Sequence, residues 1–331
     1  MRVFVYEWTC SLENPPPSLR REGWAMLSAL LRDFSRSPEV TTVTLIHKGF
    51  EHIPPGEVSW LRSTAEEESQ LKELAHSTDA TIVIAPETDQ ILDIRCRWVE
   101  ESGGWLLGPS QEARRLAGSK TLLGQSWAAV GIPTPPLLGV GEAIQAVREF
   151  PFVLKPDDGA GSQTTFLVRN FADSERALTC VNADKLIAQR YVPGTAASVG
   201  MLIGPNFVVP LPPGIQQLSR DDRFQYHGGT LPLAEPLRSR ATALAARAVQ
   251  SCPSLLGFNG VDLVLGEADD GSGDFAIEIN PRLTTSYIGL RVLTPDNLAL
   301  AMLRVALGQD MGCLSWHDET VRFHADGAII P

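Results

Sequence analysis

Three short, almost unbroken apolar runs near the start of the chain set the strongest limit on its fold. They are "RVFVYEW" from Arg2, "VTTVTLIH" ending at His47 and "ATIVIAP" from Ala80. All three read as strands, and the continuous "ATIVIAP" suits a strand covered on both faces, as in a parallel sheet. Between them lie amphipathic stretches. "SLRREGWAMLSALLRDFSR" carries Trp24, Leu27, Leu30, Leu31 and Phe34 at helical spacing, "EEESQLKELAHS" is a shorter helix, and "ILDIRCRWVEESG" stops at Gly103 and Gly104. "WLLGPS" closes the series. Strand and helix in alternation predict an α/β layer with a parallel sheet. We place this first domain at residues 1–115. A chain of 331 residues is too long for a single small core and has room for further domains.

The first strand-to-helix turn, "EWTCSLENPPPS", has no G-x-G-x-x-G, which argues against a dinucleotide site there. Pro15–Pro17 make it stiff, either as a substrate loop or as a plain connector. The net charge of −11 argues against nucleic acid or an anionic membrane as the main partner. No apolar run reaches the roughly 18–20 residues that span a bilayer, and the N-terminus reads as a strand, not a leader. The five cysteines are odd in number and scattered, with no C-x-x-C. The expectation is a reduced cytoplasmic protein with buried structural thiols and no structural zinc.

The remainder mixes signals, as in an α+β arrangement. Ser119 opens a helix and Gly131 closes it before "IPTPP". "AIQAVREF" and "DSERALTCV" read as short helices, and "KLIAQRYV" as a strand. "ASVGMLIG" and "NFVVPLPPG" look like antiparallel strands around Gly204. "PLRSRATALAARAVQSC" and "PDNLALAMLRVALGQD" are helices, and the segment after Leu307 looks like a terminal strand pair. Within this region "FVLKPDDGAGSQTTFLV" (152–168) places Lys155 at the end of an apolar strand, ahead of a small-residue loop. That is either a phosphate site or a hairpin with a snorkelling lysine.

"GVDLVLGEADDGSGDFAIEINPR" is a hairpin with an acidic, Gly-rich turn. Glu278 and Asn280 are two apart on one strand and share a face; Asp262 sits opposite on its partner. Two carboxylates and an amide oxygen form an all-oxygen set suited to Mg²⁺, which substrate phosphates often complete. The structural alternative is that one carboxylate pairs with Arg282. Lys120 alone would be a solvated helix residue, Tyr191 a core residue, and Gly159 with Gly161 an ordinary turn.

Their order lifts them above those readings. A lysine before "GIPTP", then "FVLKP" with its Gly/Ser loop, "LIAQRYVPG", "GVDLVL" and "AIEINPR" resemble the ATP-grasp carboxylate–amine ligases over about 116–305. The preceding domain is similar to their pre-ATP-grasp domain. The fold implied is an ATP-grasp fold preceded by a parallel-sheet domain: 1–115, then 116–194 with the Gly-rich loop, then 195–331 with the metal site. The resemblance implies that Lys120 and Lys155 hold the phosphates of ATP. Gly159, Gly161 and Ser162 would cover them. Gln189, Arg190, Tyr191 and Val192 would form the hinge against adenine. Asp262, Glu278 and Asn280 would hold Mg²⁺, with Mn²⁺ the other ion such a set accepts. Arg282, with Lys155, would act in catalysis by stabilising charge on the transferred group. One feature departs from the family: after the hinge stands "PGTAAS", where many members carry an acidic residue for the ribose.

"VFVYEW", "LRREGWAMLSALLRDF", "IVIAPETD" and above all "NPRLTTSYIG" resemble the tyramine–glutamate ligase branch, which serves methanofuran and methylofuran synthesis. That branch implies an ADP-forming ligase joining glutamate to tyramine or a similar aryl amine. Its partners would be small molecules, and a homodimer is compatible with it. A ligase for another amine–acid pair and a non-catalytic ATP-binding regulator are the competing readings. Substrate candidates are Arg220, Arg223, Tyr226 and His227 in the polar stretch "QQLSRDDRFQYHGGTLP", Thr284 and Thr285 with Ser286 just past Arg282, and Glu7 at the C-terminal end of the first strand.

Overall fold

The computed structural model describes residues 1–159, 164–179 and 185–330. Its described residues form three sheets. The first is wholly parallel, in the order 57–61, 41–47, 2–7, 80–84, as the three apolar runs require. The strand Glu57–Leu61 was not foreseen. It is an edge strand whose Glu57, Val58, Ser59 and Trp60 stay at least partly exposed, so it lacks the apolar run of its neighbours. "WLLGPS" does not add a strand; it contributes one bridge, Thr81 to Leu106. The stiff turn begins with one helical turn, Trp8–Ser11, and helix Pro17–Ser35 starts inside the proline run.

A second sheet of four strands runs 137–140, 186–190, 152–156, 166–168, all antiparallel. "AIQAVREF" is a 3₁₀ stretch, Gly141–Ala146, instead of an α-helix. The third sheet has eight strands. At its centre Thr195–Gly204 pairs with Gly257–Leu265, which pairs with Phe275–Asn280. "QQLSRDDRFQYHGGTLP" is not a free loop: Gly214–Leu218 and Tyr226–Leu231 pair antiparallel, and the terminal strands Val321–His324 and Ile329–Ile330 extend that edge.

One core joins the ends of the chain. Leu27, Leu30, Leu31 and Phe34 of helix Pro17–Ser35 pack with Tyr287, Leu290, Leu298 and Met302 from helices Ser286–Leu293 and Leu298–Ala306. This shared core holds the C-terminal edge of the parallel sheet against the Asn280–Arg282 end of the hairpin. Among the described cysteines Cys10, Cys96 and Cys252 are buried free thiols, whereas Cys313 is exposed, contrary to the expectation of buried thiols throughout. Among the described residues no helix is long and apolar enough to cross a membrane.

Candidate functional site

The two lysines arrive from different elements and are locked by one aspartate. Asp157 follows strand Phe152–Pro156. Its carboxylate accepts the Ser119 hydroxyl and the Thr121 N–H, both at 2.7 Å, and its carbonyl accepts the Lys120 N–H at 3.0 Å. Ser119 itself caps helix Lys120–Ala129. The lysine-bearing helix start is therefore bolted to the lysine-bearing strand end. Lys120 Nζ donates to the Gly159 carbonyl at 2.6 Å and lies 3.1 Å from Glu278 Oε2. Lys155 is 7% exposed. Burial brings its pKa down to about 8; Glu278 opposes the drop and Lys120 adds to it. Two cations 35 positions apart in sequence thus act on one carboxylate, Lys120 by contact and Lys155 through its field, an arrangement suited to a polyanion.

The hairpin supplies the acids. Asp262 lies directly opposite Glu278, and Gly260 opposite Asn280, with a bulge just after Asp262. Asp262 accepts Asn280 Nδ2 at 3.1 Å and Gln216 Nε2 at 3.0 Å. Its pKa is raised by burial and then by the facing Glu278 charge. Burial also acts to raise Glu278, but Lys120 and Lys155 carry it below the ordinary carboxylate range. Two buried carboxylates held face to face repel one another, and a divalent cation removes that repulsion. The donor set is all oxygen once the Asn280 amide turns its oxygen inward, so the residues fit Mg²⁺. Gln216 was missed by sequence reasoning; nothing local marks it, and only the pairing of its strand with Thr195–Gly204 brings it to Asp262.

Arg282 is not free. Its guanidinium makes a two-pronged pair with Glu87 at 3.0 and 3.1 Å, both side chains nearly buried. Glu87 follows strand Ala80–Ile84 of the parallel sheet, so the first sheet unit reaches the segment just past strand Phe275–Asn280 directly. Glu7 ends strand Arg2–Glu7, and its carboxylate accepts the Cys10 N–H and the Thr9 hydroxyl, both at 2.8 Å. It caps a helix, a structural duty not expected of it. Glu22, also unforeseen, stands beside Arg282 and Glu7.

The hinge residues are partly engaged within the protein. Gln189 Nε2 donates to the Pro135 carbonyl at 2.9 Å, the Arg190 N–H to Pro136 and the Tyr191 N–H to Pro151. These two backbone N–H groups are therefore taken, and the Arg190 side chain pairs with Glu149. The Tyr191 ring lies 6.4 Å from that of Phe224, with Val192 next in the chain. Gly159 sits beside Pro156 and carries the carbonyl that holds Lys120; Gly161 and Ser162 lie outside the described residues.

Of the substrate candidates, the structure brings Tyr226 and Thr285 to the site. Burial raises the Tyr226 hydroxyl, a hydrogen bond with Thr285 eases the rise, and the fields of Glu22 and Asp262 add to it. Thr284 packs against Gly260 and shares a hydrogen bond with Ser286. Arg220 and His227 are exposed, and His227 points off the strand face opposite to Tyr226. Arg223 stacks its guanidinium 4.0 Å over the Phe166 ring instead of reaching the carboxylates.

The chain is similar to known proteins over most of its length. An ATP-grasp domain model matches residues 117–286, and a pre ATP-grasp 3 domain model matches 43–113. The chain is 25% identical over 318 residues to the tyramine–L-glutamate ligase of Methanocaldococcus jannaschii, covering 93% of this chain and 90% of that one. It is 29% identical to the phosphoribosylamine–glycine ligase of Streptomyces coelicolor, over 90% and 74% of the two chains. A solved structure of a putative ATP-grasp superfamily protein from Archaeoglobus fulgidus superposes with a TM-score of 0.73 at 22% identity, covering 97% and 92%.

Proposed function

The chain belongs to the ATP-grasp family, and from that premise we propose that it is an ADP-forming carbon–nitrogen ligase. It would join a carboxylate to an amine through an acyl phosphate, with glutamate as the acid and tyramine or a similar aryl amine as the nucleophile. The observation that carries this reading is the gathering of Lys120 and Lys155 at the Asp262–Glu278–Asn280 face, where Lys120 lies 3.1 Å from Glu278. Full-length similarity to tyramine–L-glutamate ligases supports the substrate pair.

Each group then has work. Lys120 and Lys155 hold phosphate oxygens as point charges, and binding the polyanion keeps Lys155 protonated. Asp262, Glu278 and Asn280 would hold Mg²⁺, which when bound would supply charge neutralisation for the phosphate oxygens. A carboxylate oxygen of the acid attacks the γ-phosphorus as ADP leaves. The amine nitrogen then attacks the acyl carbon, loses a proton, and phosphate leaves. Arg282 supplies positive charge where the acyl phosphate oxygens collect. In this reading 1–115 walls the acceptor side, 116–194 covers the nucleotide and 195–331 holds the metal, in the cytoplasm. The ribose lacks an acid in "PGTAAS" and is bound through other groups.

The test is ADP release from Mg·ATP with a matrix of amines (tyramine, tyrosine, dopamine, amino acids) against acids (glutamate, aspartate). ADP that appears only with an aryl amine plus glutamate supports the pair. ADP with another pair keeps the ligase and replaces its substrates. Bound ATP with no ADP anywhere in the matrix favours a nucleotide-binding regulator.

A further inference from the structure

Asp157 commits both its backbone polar groups and both its carboxylate oxygens. Its N–H donates to the Lys185 carbonyl at 2.9 Å, just ahead of strand Leu186–Arg190, and its carbonyl accepts the Lys120 N–H at 3.0 Å. One carboxylate oxygen accepts the Thr121 N–H and the other the Ser119 hydroxyl, both at 2.7 Å. Helix Lys120–Ala129 is already capped without them: Ser119 Oγ accepts the Leu122 N–H at 3.2 Å and the Ser119 carbonyl accepts the Leu123 N–H at 2.9 Å. What Asp157 adds is a tie between elements. The tie closes a ring, because Lys120 bonds through its N–H to Asp157 and through its ammonium to the Gly159 carbonyl at 2.6 Å. Backbone and side chain of one lysine thus grip the stretch that follows strand Phe152–Pro156.

The ring holds the Lys120 ammonium between the Gly159 carbonyl and Glu278 Oε2, 3.1 Å away. Lys155 stands two residues before Asp157 on the same strand end and is buried there. One side chain therefore joins the elements that carry the two ammonium groups. A carboxylate beside a polyanion site opposes binding by its charge, so its contribution is geometry. We propose that Asp157 is a positioning residue for nucleotide binding: its carboxylate docks the start of helix Lys120–Ala129 on the strand end and so sets the span over which Lys120 and Lys155 meet phosphate oxygens. The inference rests on the nucleotide part of the ligase reading and names the group that shapes that site.

Calorimetry without turnover tests it, with AMP and the Mg²⁺ complex of the non-hydrolysable β,γ-imido-ATP as probes. The ratio of the two affinities reports on the β- and γ-phosphates, whereas a general loosening of the fold weakens both probes together. Asp157→Ala should lower the preference for the triphosphate at least about tenfold, the weight of one hydrogen bond to a charged group, while AMP affinity holds. Asp157→Asn keeps the shape, still accepts the Thr121 N–H and can donate to Ser119 Oγ. It should show the wild-type preference or a stronger one, because a negative charge near the phosphates is gone. Ser119→Ala removes one arm of the tie and should fall between wild type and Asp157→Ala. A wild-type preference in Asp157→Ala, an equal loss for both probes, or a loss in Asp157→Asn as large as in Asp157→Ala overturns the proposal. If circular dichroism shows Asp157→Ala unfolded, Ser119→Ala decides, and an undiminished preference there overturns it. Wild-type protein that binds neither probe, or binds AMP as tightly as the triphosphate, refutes the phosphate role of the two lysines, and the proposal falls with that reading.

Discussion

Two forked arginine–carboxylate pairs among the described residues stitch the first sheet unit to the C-terminal part, and they differ in what surrounds them. At the back, Asp33 accepts the Arg291 fork at 2.9 and 2.6 Å and the Tyr287 hydroxyl at 2.6 Å, while its carbonyl takes Asn297 Nδ2 at 2.7 Å. Asp33 is 1% exposed and lies against the shared apolar core. At the front, Glu87 holds Arg282 with the same fork geometry. There the neighbours are Glu22, whose field also falls on Arg282, Glu278 and Asp262 face to face, and a lysine depressed by burial. The back pair is closed in the sense that each strong donor and acceptor has its match. The front pair is embedded in a cluster of further buried charges, Lys120, Lys155, Asp262 and Glu278. Burial and bidentate geometry alone therefore do not separate a weld from a working site; the state of the surrounding groups does.

The comparison breaks most sharply at Asp33. Asp33→Ala strands a partly buried Arg291 and the Tyr287 hydroxyl, so we expect a loss of about 3 kcal/mol of stability in urea titration. A loss below about 1 kcal/mol would deny it the role of weld. Glu87→Gln should behave in the opposite way. Arg282 keeps the Glu22 and Glu278 fields and its contacts to Leu283 O and Asn280 Oδ1, so stability should fall by only about 1 kcal/mol. ADP release should fall further, tenfold or more in kcat/KM, or about 1.4 kcal/mol, because the fork no longer aims Arg282. A variant that is unstable yet fully active per folded molecule would merge the two pairs into one class.

The parallel sheet was legible because strands buried on both faces leave continuous apolar runs, and "ATIVIAP" can be little else. The edge strand Glu57–Leu61 was not, since partial exposure erases that signal. The Asp262–Glu278–Asn280 set could be read because a hairpin fixes pairing locally. Gln216, Glu22 and Glu87 could not, because long-range packing alone brings them in. Glu7 shows the reverse failure: its place at a strand end suggested substrate, while the chain uses it as a cap. Asp157 was passed over for a similar reason, since its partners lie 36–38 positions away.

The charged interior of the front predicts a pH signature that the back lacks. Lys155 falls from an ordinary 10.5 to about 8 when folded, so between those values the unfolded chain binds more protons and stability rises with pH. The thiols and tyrosines raised by burial act the other way; the useful quantity is therefore the difference between wild type and Lys155→Met. From pH 8 to 9.5 that difference should change by about 1.5 kcal/mol in favour of wild type. A flat difference would mean that Lys155 is not desolvated, which would weaken the contrast between the two seams.

The smallest effect lies at the rim. Lys185 Nζ reaches Asp89 Oδ1 at 2.6 Å, and the Asp89 N–H donates to Asp158 at 3.0 Å, which ties the segment after Glu87 to the strand ends near the lysines. Both side chains of the Lys185–Asp89 pair are more than half exposed, so water and salt screen them. Asp89→Asn should therefore change stability by less than about 0.5 kcal/mol. Its backbone contact to Asp158 survives the substitution, so the KM for ATP should also stay within about twofold at 0.15 M salt. A larger rise in that KM, disappearing at 1 M salt, would show that the rim pair helps set the distance between the Glu87 segment and the phosphate end of the site. The front seam would then extend to the surface, whereas the back seam ends in its core.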